Sequence, residues 1–326
     1  MSGVGGETVT RTRVGLPSWQ RIGTAVGALF WGWLIVRWIA LWAGYSRPFL
    51  PSAPFVRAEE GLHIDAEVIG STGGPLAIPA DVVAGLLSWL GDVAGFVAIA
   101  ATSLPDLAAG AWLTVVLTVA SILLGLPIAV ALSVARIYGG PVSRSLSLGY
   151  IELIRGTPLL AQLFVIYYGL NLSAYFQTFT AGPLPAAAVW VAVVGFTINS
   201  AAYQAEYIRA AVESVDAGQL TAARAVGLSK LDGIRYVVLP QGLRYAIPGW
   251  TNELVYLIKY SSLATFIVVP ELFTRADDIA SETFQYQDVF LLVALFYLAL
   301  VLSATVFMDR VEQAVAIPGV GVRGGR

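Results

Sequence analysis

The chain has 326 residues, of which 57% are hydrophobic and 12% charged, with a net charge of −2. Soluble domains carry about 25% charged residues, so this composition points to the bilayer, and a near-neutral balance excludes a nucleic-acid-binding footprint. Cysteine is absent, which removes disulfides, thiol nucleophiles and thiolate metal sites, and the single histidine, His63, reads as a solvated surface residue rather than a metal ligand.

Residues 1–21 form a tail with Arg11, Arg13 and Arg21. A crossing helix needs about 20 mostly apolar residues. Residues 22–45 meet that as an N-terminal anchor, despite Arg37, and Trp31, Trp33, Trp38 and Trp42 suit interfacial anchoring. The run is too long and too Trp-rich for a cleaved signal peptide. Residues 46–80 are rich in Pro and Gly and read as an outer loop without clear period. Residues 81–103 are apolar, but Asp92 sits mid-segment, and Gly85, Gly91 and Gly95 weaken a helix. They read as a surface elbow helix lying on the outer face, completing an extracytoplasmic unit of 46–103.

Further spans are expected over 110–134, 158–172 (running on toward Phe176), 184–202, 247–269 and 289–308. The fold class is therefore all-α, an integral membrane bundle of about six helices. Loop charge gives the orientation. Arg136, Arg144 and Arg155 outweigh Glu152 and place that loop in the cytoplasm. Glu271, Asp277, Asp278, Glu282 and Asp288 against Arg275 read as an exposed, acidic outer loop, open to a solute receptor or simply solvated. Both termini, including the tail 314–326, then fall inside. At residues 156–158, Thr157 is spaced to N-cap the next helix with Pro158 at its first position, and Arg155 is placed to snorkel to water.

The most patterned segment is the cytoplasmic loop 205–245. Its charges alternate in sign, so it is not a polybasic lipid-binding arm. Asp216 and Gln219 have capping-box spacing, and Gly227 stands where a helix C-terminus takes a left-handed residue. The intervening helix, Gln219 to Val226, is about two turns long and rich in small side chains, so it needs packing or a partner to persist. Leu239 and Pro240 are expected to stop the following segment.

Ionisable and polar residues at membrane depth are candidate pathway groups. Asn252, Tyr256 and Lys259 share one helix face at i, i+4, i+7, with Glu253 beside it. A carboxylate and an ammonium there suit a zwitterionic amino acid, or they satisfy each other. Gln162 and Asn199 are weaker candidates, since amides in spans also join helices. No Ser-His-Asp set, metal cluster or paired carboxylates occur in a catalytic context, and no cofactor is implied.

Two ordered blocks resemble the permease subunits of binding-protein-dependent ABC importers, in the polar amino acid branch. The first spans Tyr150 to Leu160 with Gln162. The second comprises Arg209, Ser214, Val215, Gly218, Gln219, Ala222, Ala223, Gly227, Leu239, Pro240, Gln241, Asn252, Glu253, Lys259 and Ser261 to Leu263. Thr221 departs from the family's usual Glu. The resemblance covers roughly residues 104–313, a five-helix permease core, and leaves 1–103 unexplained.

That resemblance implies a coupling helix, with Gly218, Gln219, Thr221, Ala222, Ala223, Gly227, Leu239 and Pro240 engaging an ATPase. It implies as partners an ABC ATPase dimer, an extracytoplasmic solute-binding protein, a second permease subunit, membrane lipid and a polar amino acid, in the plasma membrane. The chain itself has no phosphate-binding Gly-x-x-x-x-Gly-Lys-Ser/Thr loop, so ATP hydrolysis is expected in a separate subunit and this chain is not expected to be an enzyme. A secondary amino acid transporter and a non-transport membrane scaffold are the alternatives.

Overall fold

The computed structural model describes residues 18–71, 77–178 and 186–315, and every regular element among them is helical. The expected tails around Arg11, Arg13, Arg323 and Arg326 lie outside the described residues. In chain order the α-helices are α1 (Ser18–Trp42), α2 (Ala53–Gly70), α3 (Ala77–Tyr138), α4 (Pro141–Arg155), α5 (Leu159–Phe164), α6 (Leu172–Gln177) and α7 (Ala187–Glu213). There follow α8 (Ala217–Ala225), α9 (Lys230–Gly233), α10 (Leu239–Tyr245), α11 (Ile247–Tyr260), α12 (Leu272–Thr283) and α13 (Tyr286–Val315).

Four segments are long and apolar enough to cross a bilayer singly: Gly23–Trp42, Ala80–Tyr138, Ala187–Glu213 and Tyr286–Val315. Two bent pairs supply up to two more. Pro141–Arg155 and Leu159–Gly169 meet at 102°, and Ile247–Ile267 and Leu272–Thr283 at 55°. The all-α membrane bundle of about six spans is therefore present, but two of those spans are broken. The expected span 158–172 is not one straight rod. A π-turn over Val165–Gly169 and a left-handed Asn171 (φ 49°) separate α5 from α6.

The structure corrects the reading of residues 46–103. The loop expected over 46–80 contains α2, begun by Pro54 in its first turn. Phe55, Leu62, Ala66 and Ile69 give α2 one covered face. Residues 81–103 are not a separate surface elbow. They form the first part of α3, a single helix of 62 residues that runs to Tyr138, about 93 Å at 1.5 Å per residue.

Two of the three glycines read as helix weakeners, Gly91 and Gly95, are instead places where α2 crosses antiparallel, while Gly85 faces open space. A Cβ on Gly91 would lie 2.8 Å from His63 Nε2, and one on Gly95 would lie 2.6 Å from Glu59 Oε1. His63 is not simply solvated, because its Nε2 sits 3.4 Å from Asp92 Oδ1.

Arg37 also departs from the sequence expectation of a costly central charge. Its guanidinium reaches past the end of α1 to donate to the carbonyls of Ser46 (2.8 Å) and Arg47 (2.6 Å), and it lies over the Phe49 ring. The Trp residues of α1 build packing more than an interfacial belt. Trp38 Nε1 donates to Ala108 O at 2.6 Å, and Trp38 and Trp42 both meet Trp112 edge-on.

Three apolar clusters hold the bundle. One joins α1, α3, α12 and α13 around Leu34, Leu107, Leu272 and Leu300. The second packs Leu117 and Leu163 against Phe196 and Leu257. The third gathers Ala129, Ile151, Ile208 and Val238 at the end that carries α8.

Glu271 was read as part of an exposed acidic loop and is in fact fully buried. It caps α12, accepting from the N–H groups of Phe273 and Thr274 (both 2.9 Å), and from Tyr297 OH on α13 (3.0 Å). The Glu271–Asp288 stretch is α12, a two-residue break and the first turn of α13, not a loop.

Candidate functional site: a capped helix and an aromatic cleft

At the end of α7 the chain turns through Ser214 and Val215 into α8. Asp216 caps it, its Oδ1 accepting from Gly218 N–H at 2.6 Å. At the other end Gly227 takes φ +95°. Leu228 N–H donates to Ala223 O and Gly227 N–H to Arg224 O, both at 3.1 Å. That pair of bonds is a Schellman motif, which satisfies carbonyls the helix end would otherwise leave open.

A nine-residue helix is marginal alone, so its inner side matters. Ala223 is buried, and Gly233 of α9 lies directly beneath: a Cβ there would meet Leu220 Cδ1 at 2.8 Å and Ala223 Cβ at 3.4 Å. The outer side is open. Gly218, Gln219, Thr221, Ala222, Ala225 and Val226 are exposed, Val226 to 80%.

Pro240 does not stop the next segment as expected. A π-turn over Ile234–Val238 precedes it and Pro240 sits in the first turn of α10. The wider turn accommodates a ring that would clash with the carbonyl four residues earlier. Leu239 packs in the apolar cluster beneath, and Pro240 itself is exposed.

An open cleft of about 400 Å³ lies between the α4–α5 bend, α7 and α11. Arg155, Tyr203, Tyr256 and Tyr260 form its polar and aromatic wall, with Leu160 and Leu263 among its apolar lining. The Tyr256 and Tyr260 rings stack 4.0 Å apart, Tyr203 is 5.6 Å from Tyr256, and the Arg155 guanidinium lies 5.3 Å from the Tyr203 ring centre.

The 102° bend beside the cleft has a specific lock. Gln162 Nε2 donates to Ile154 O (2.7 Å), Thr157 O (3.0 Å) and Thr157 Oγ1 (2.8 Å). Asn199 Nδ2 of α7 donates to Gln162 Oε1 at 3.1 Å. Thr157 does not N-cap α5, since its hydroxyl turns back to Leu153 O at 2.9 Å and closes α4, while Pro158 occupies the capping position.

Of the residues picked from sequence as pathway groups, Tyr256 lines the cleft, Gln162 and Asn199 lock the bend, and Asn252 and Lys259 are exposed. Glu253 is 1% exposed and neither carboxylate oxygen completes a hydrogen bond. Ser200 of α7 neighbours it, and Gln204 Nε2 donates to Ser200 Oγ at 3.0 Å. Among the described residues Glu253 and Lys259 form no ion pair, so they do not satisfy each other. Sequence reasoning missed Tyr203 and Tyr260 and gave Arg155 only a snorkelling role; the Gly-Thr-Pro break after Arg155 was the available signal.

Broken spans around a cleft, with a capped helix protruding at one end, define a multi-pass membrane permease. Residues 121–317 match the family described as binding-protein-dependent transport system inner membrane component, and the chain belongs to that family. It is 37% identical over 218 residues to the probable amino-acid ABC transporter permease protein YckA of Bacillus subtilis (strain 168), covering 67% of this chain and 92% of that protein. It is 36% identical over 215 residues to the glutamine transport system permease protein GlnP of Escherichia coli (strain K12), covering 66% and 95%.

Among solved structures, an amino acid ABC transporter crystallised with histidines aligns at TM-score 0.55 and 31% identity, over 65% of this chain and 94% of that one. An inward-facing MetNI methionine ABC transporter aligns at TM-score 0.55 and 21% identity, over 65% and 97%, a likeness of fold alone.

Proposed function

We propose that this chain is the transmembrane permease subunit of an ATP-driven, binding-protein-dependent importer of a polar amino acid. The observation that carries the reading is α8: capped at both ends, packed on its inner side, exposed on its outer side, and continuous in chain with the α7 span that walls the cleft. Such a helix offers a surface to a separate ATPase, and α7 conveys its displacement toward the cleft. Gly218, Gln219, Thr221, Ala222 and the Gly227 turn form that contact, with Gly233 of α9 seated beneath Leu220 and Ala223, and Leu239 and the exposed Pro240 following on the same cytoplasmic side. Thr221 presents a hydroxyl where the motif that this loop resembles usually has Glu, so the contact here runs through shape more than charge.

The substrate meets Tyr203, Tyr256 and Tyr260 in the cleft, with Arg155 at its wall for a carboxylate and Glu253 behind the aromatic layer for an ammonium. A buried carboxylate with only the Ser200 hydroxyl beside it is costly, and a cationic group entering there offsets that cost. Gln162 holds the bend rather than touching substrate. The partners are two ATPase subunits, an extracytoplasmic solute-binding protein and a second permease subunit, in the plasma membrane with both termini cytoplasmic. A secondary transporter or a scaffold leaves the exposed, capped α8 without a purpose.

The test is uptake of labelled polar amino acids into proteoliposomes carrying the permease, its ATPase and the binding protein. Glu253→Gln removes a charge-assisted contact worth about 1.5–3 kcal/mol, so the substrate concentration at half-maximal uptake should rise about ten-fold or more. Uptake driven by an ion gradient in vesicles without the ATPase would overturn the importer reading.

A further inference from the structure

Glu206 lies on α7, two turns before that helix ends at Glu213. Its carboxylate is 15% exposed and gathers guanidinium groups from three helices. Arg136, near the end of α3, donates to Oε1. Arg209 of α7 donates to Oε2 through Nε (3.2 Å) and Nη2 (3.0 Å), and its Nη1 donates to Glu213 at 2.6 Å. Arg155, the last residue of α4, stands 4.0 Å from Oε2.

The three contacts are unequal. Arg136 and Arg209 hydrogen-bond the carboxylate directly, whereas Arg155 sits at the outer limit of an ion pair. The same Arg155 guanidinium lies against Tyr203 and lines the cleft. On its other side the hub grips Arg209 and Glu213, the stem from which the chain turns into α8. One carboxylate thus has contact with both the cleft wall and the root of the exposed helix.

We propose that Glu206 is a positioning residue for transport: it holds Arg155 at the cleft wall and ties that hold to the root of α8, so that displacement of α8 releases Arg155. This rests on α8 being the ATPase-coupling helix. When the end of α7 shifts, the loosely held Arg155 is the contact that lengthens first, and its guanidinium becomes free for a carboxylate in the cleft. Arg136 and Arg209 stay with Glu206 and keep the helix ends together.

The experiment measures ATP hydrolysis and amino acid uptake in the same proteoliposomes, with the complete complex of permease, ATPase and binding protein. Glu206→Gln keeps the shape and removes the charge. Hydrolysis should stay within about two-fold of wild type while uptake per ATP falls about ten-fold, inside the range of measured coupling energies. Glu206→Asp, which restores the charge, should recover part of that ratio. Arg155→Gln, which removes the cleft-side contact, should lower the ratio as Glu206→Gln does, but Arg155 also meets the substrate carboxylate, so the deciding comparison is Glu206→Gln against Glu206→Asp.

An unchanged ratio in Glu206→Gln or in Arg155→Gln overturns the proposal while leaving the importer reading intact. So does a parallel loss of hydrolysis, uptake and assembly in Glu206→Gln and Glu206→Asp alike, which marks a merely structural role. Wild-type vesicles that hydrolyse ATP but move no amino acid would sink the importer reading, and the proposal with it.

Discussion

Replacing Gly227 with alanine isolates one physical quantity. No heavy atom lies within 4 Å of the Cβ this would add, so the substitution meets no steric obstacle. The remaining cost is conformational, because φ is +95° and an L-residue there loses about 1–2 kcal/mol. The two C-terminal bonds of α8, from Leu228 and Gly227 to Ala223 and Arg224, depend on that turn. A loss of 1–2 kcal/mol shifts the balance between seated and frayed helix end by roughly 5- to 30-fold.

The assay is ATP-driven uptake by reconstituted complexes, alongside pull-down of the ATPase subunit by the permease. Gly227→Ala should weaken both several-fold. Gly227→Asn should retain most of each, since Asn tolerates the left-handed region. Uptake and subunit binding both at wild-type level in Gly227→Ala, with Gly227→Asn no better, would refute the link between this turn and coupling.

Two stability predictions follow from the other end of the bundle. Gly110→Ala places a Cβ 2.8 Å from Leu272 Cα and 2.9 Å from Glu271 O. Both are backbone atoms that cannot swing aside, so overpacking should cost about 1–3 kcal/mol. The thermal midpoint in detergent should then fall by roughly 2–4 °C per kcal/mol, and an unaltered midpoint would show that α3 and α12 do not press together there. Glu271→Ala strands the Phe273 and Thr274 N–H groups and Tyr297 OH, at about 1–3 kcal/mol for each group left unsatisfied. It should sharply reduce folded protein recovered from membranes, with Glu271→Gln intermediate. Equal recovery of wild type and Glu271→Ala would contradict the buried-cap account.

What the sequence made legible is chemistry that acts over a few residues. Asp216 and Gly227 announce the two ends of α8 because caps are local, and apolar run lengths announce the bundle because bilayer thickness is fixed. What stayed hidden depends on partners far along the chain. Gly91 and Gly95 read as weak helix until α2 is seen crossing them. Glu271 read as solvent-facing because linear charge density is blind to Tyr297, 26 residues away, and to Thr114, 157 residues away. Thr157 has the right spacing for an N-cap, yet the sharp bend offers its hydroxyl a carbonyl behind it instead. In the cleft, Tyr256 was legible from helical spacing on α11, whereas Tyr203 was not, because its meeting with Tyr256 is made by the packing of α7 on α11.

The family match begins at residue 121, yet α3 begins at Ala77 with no break between the two parts. The leading segment joins the core through continuous helix, with Pro105 and Pro127 in its interior. The 33 residues from Ala77 to Ala109 reach about 50 Å ahead of Gly110. A rocking of five degrees about Gly110 would sweep that far tip through about 4 Å.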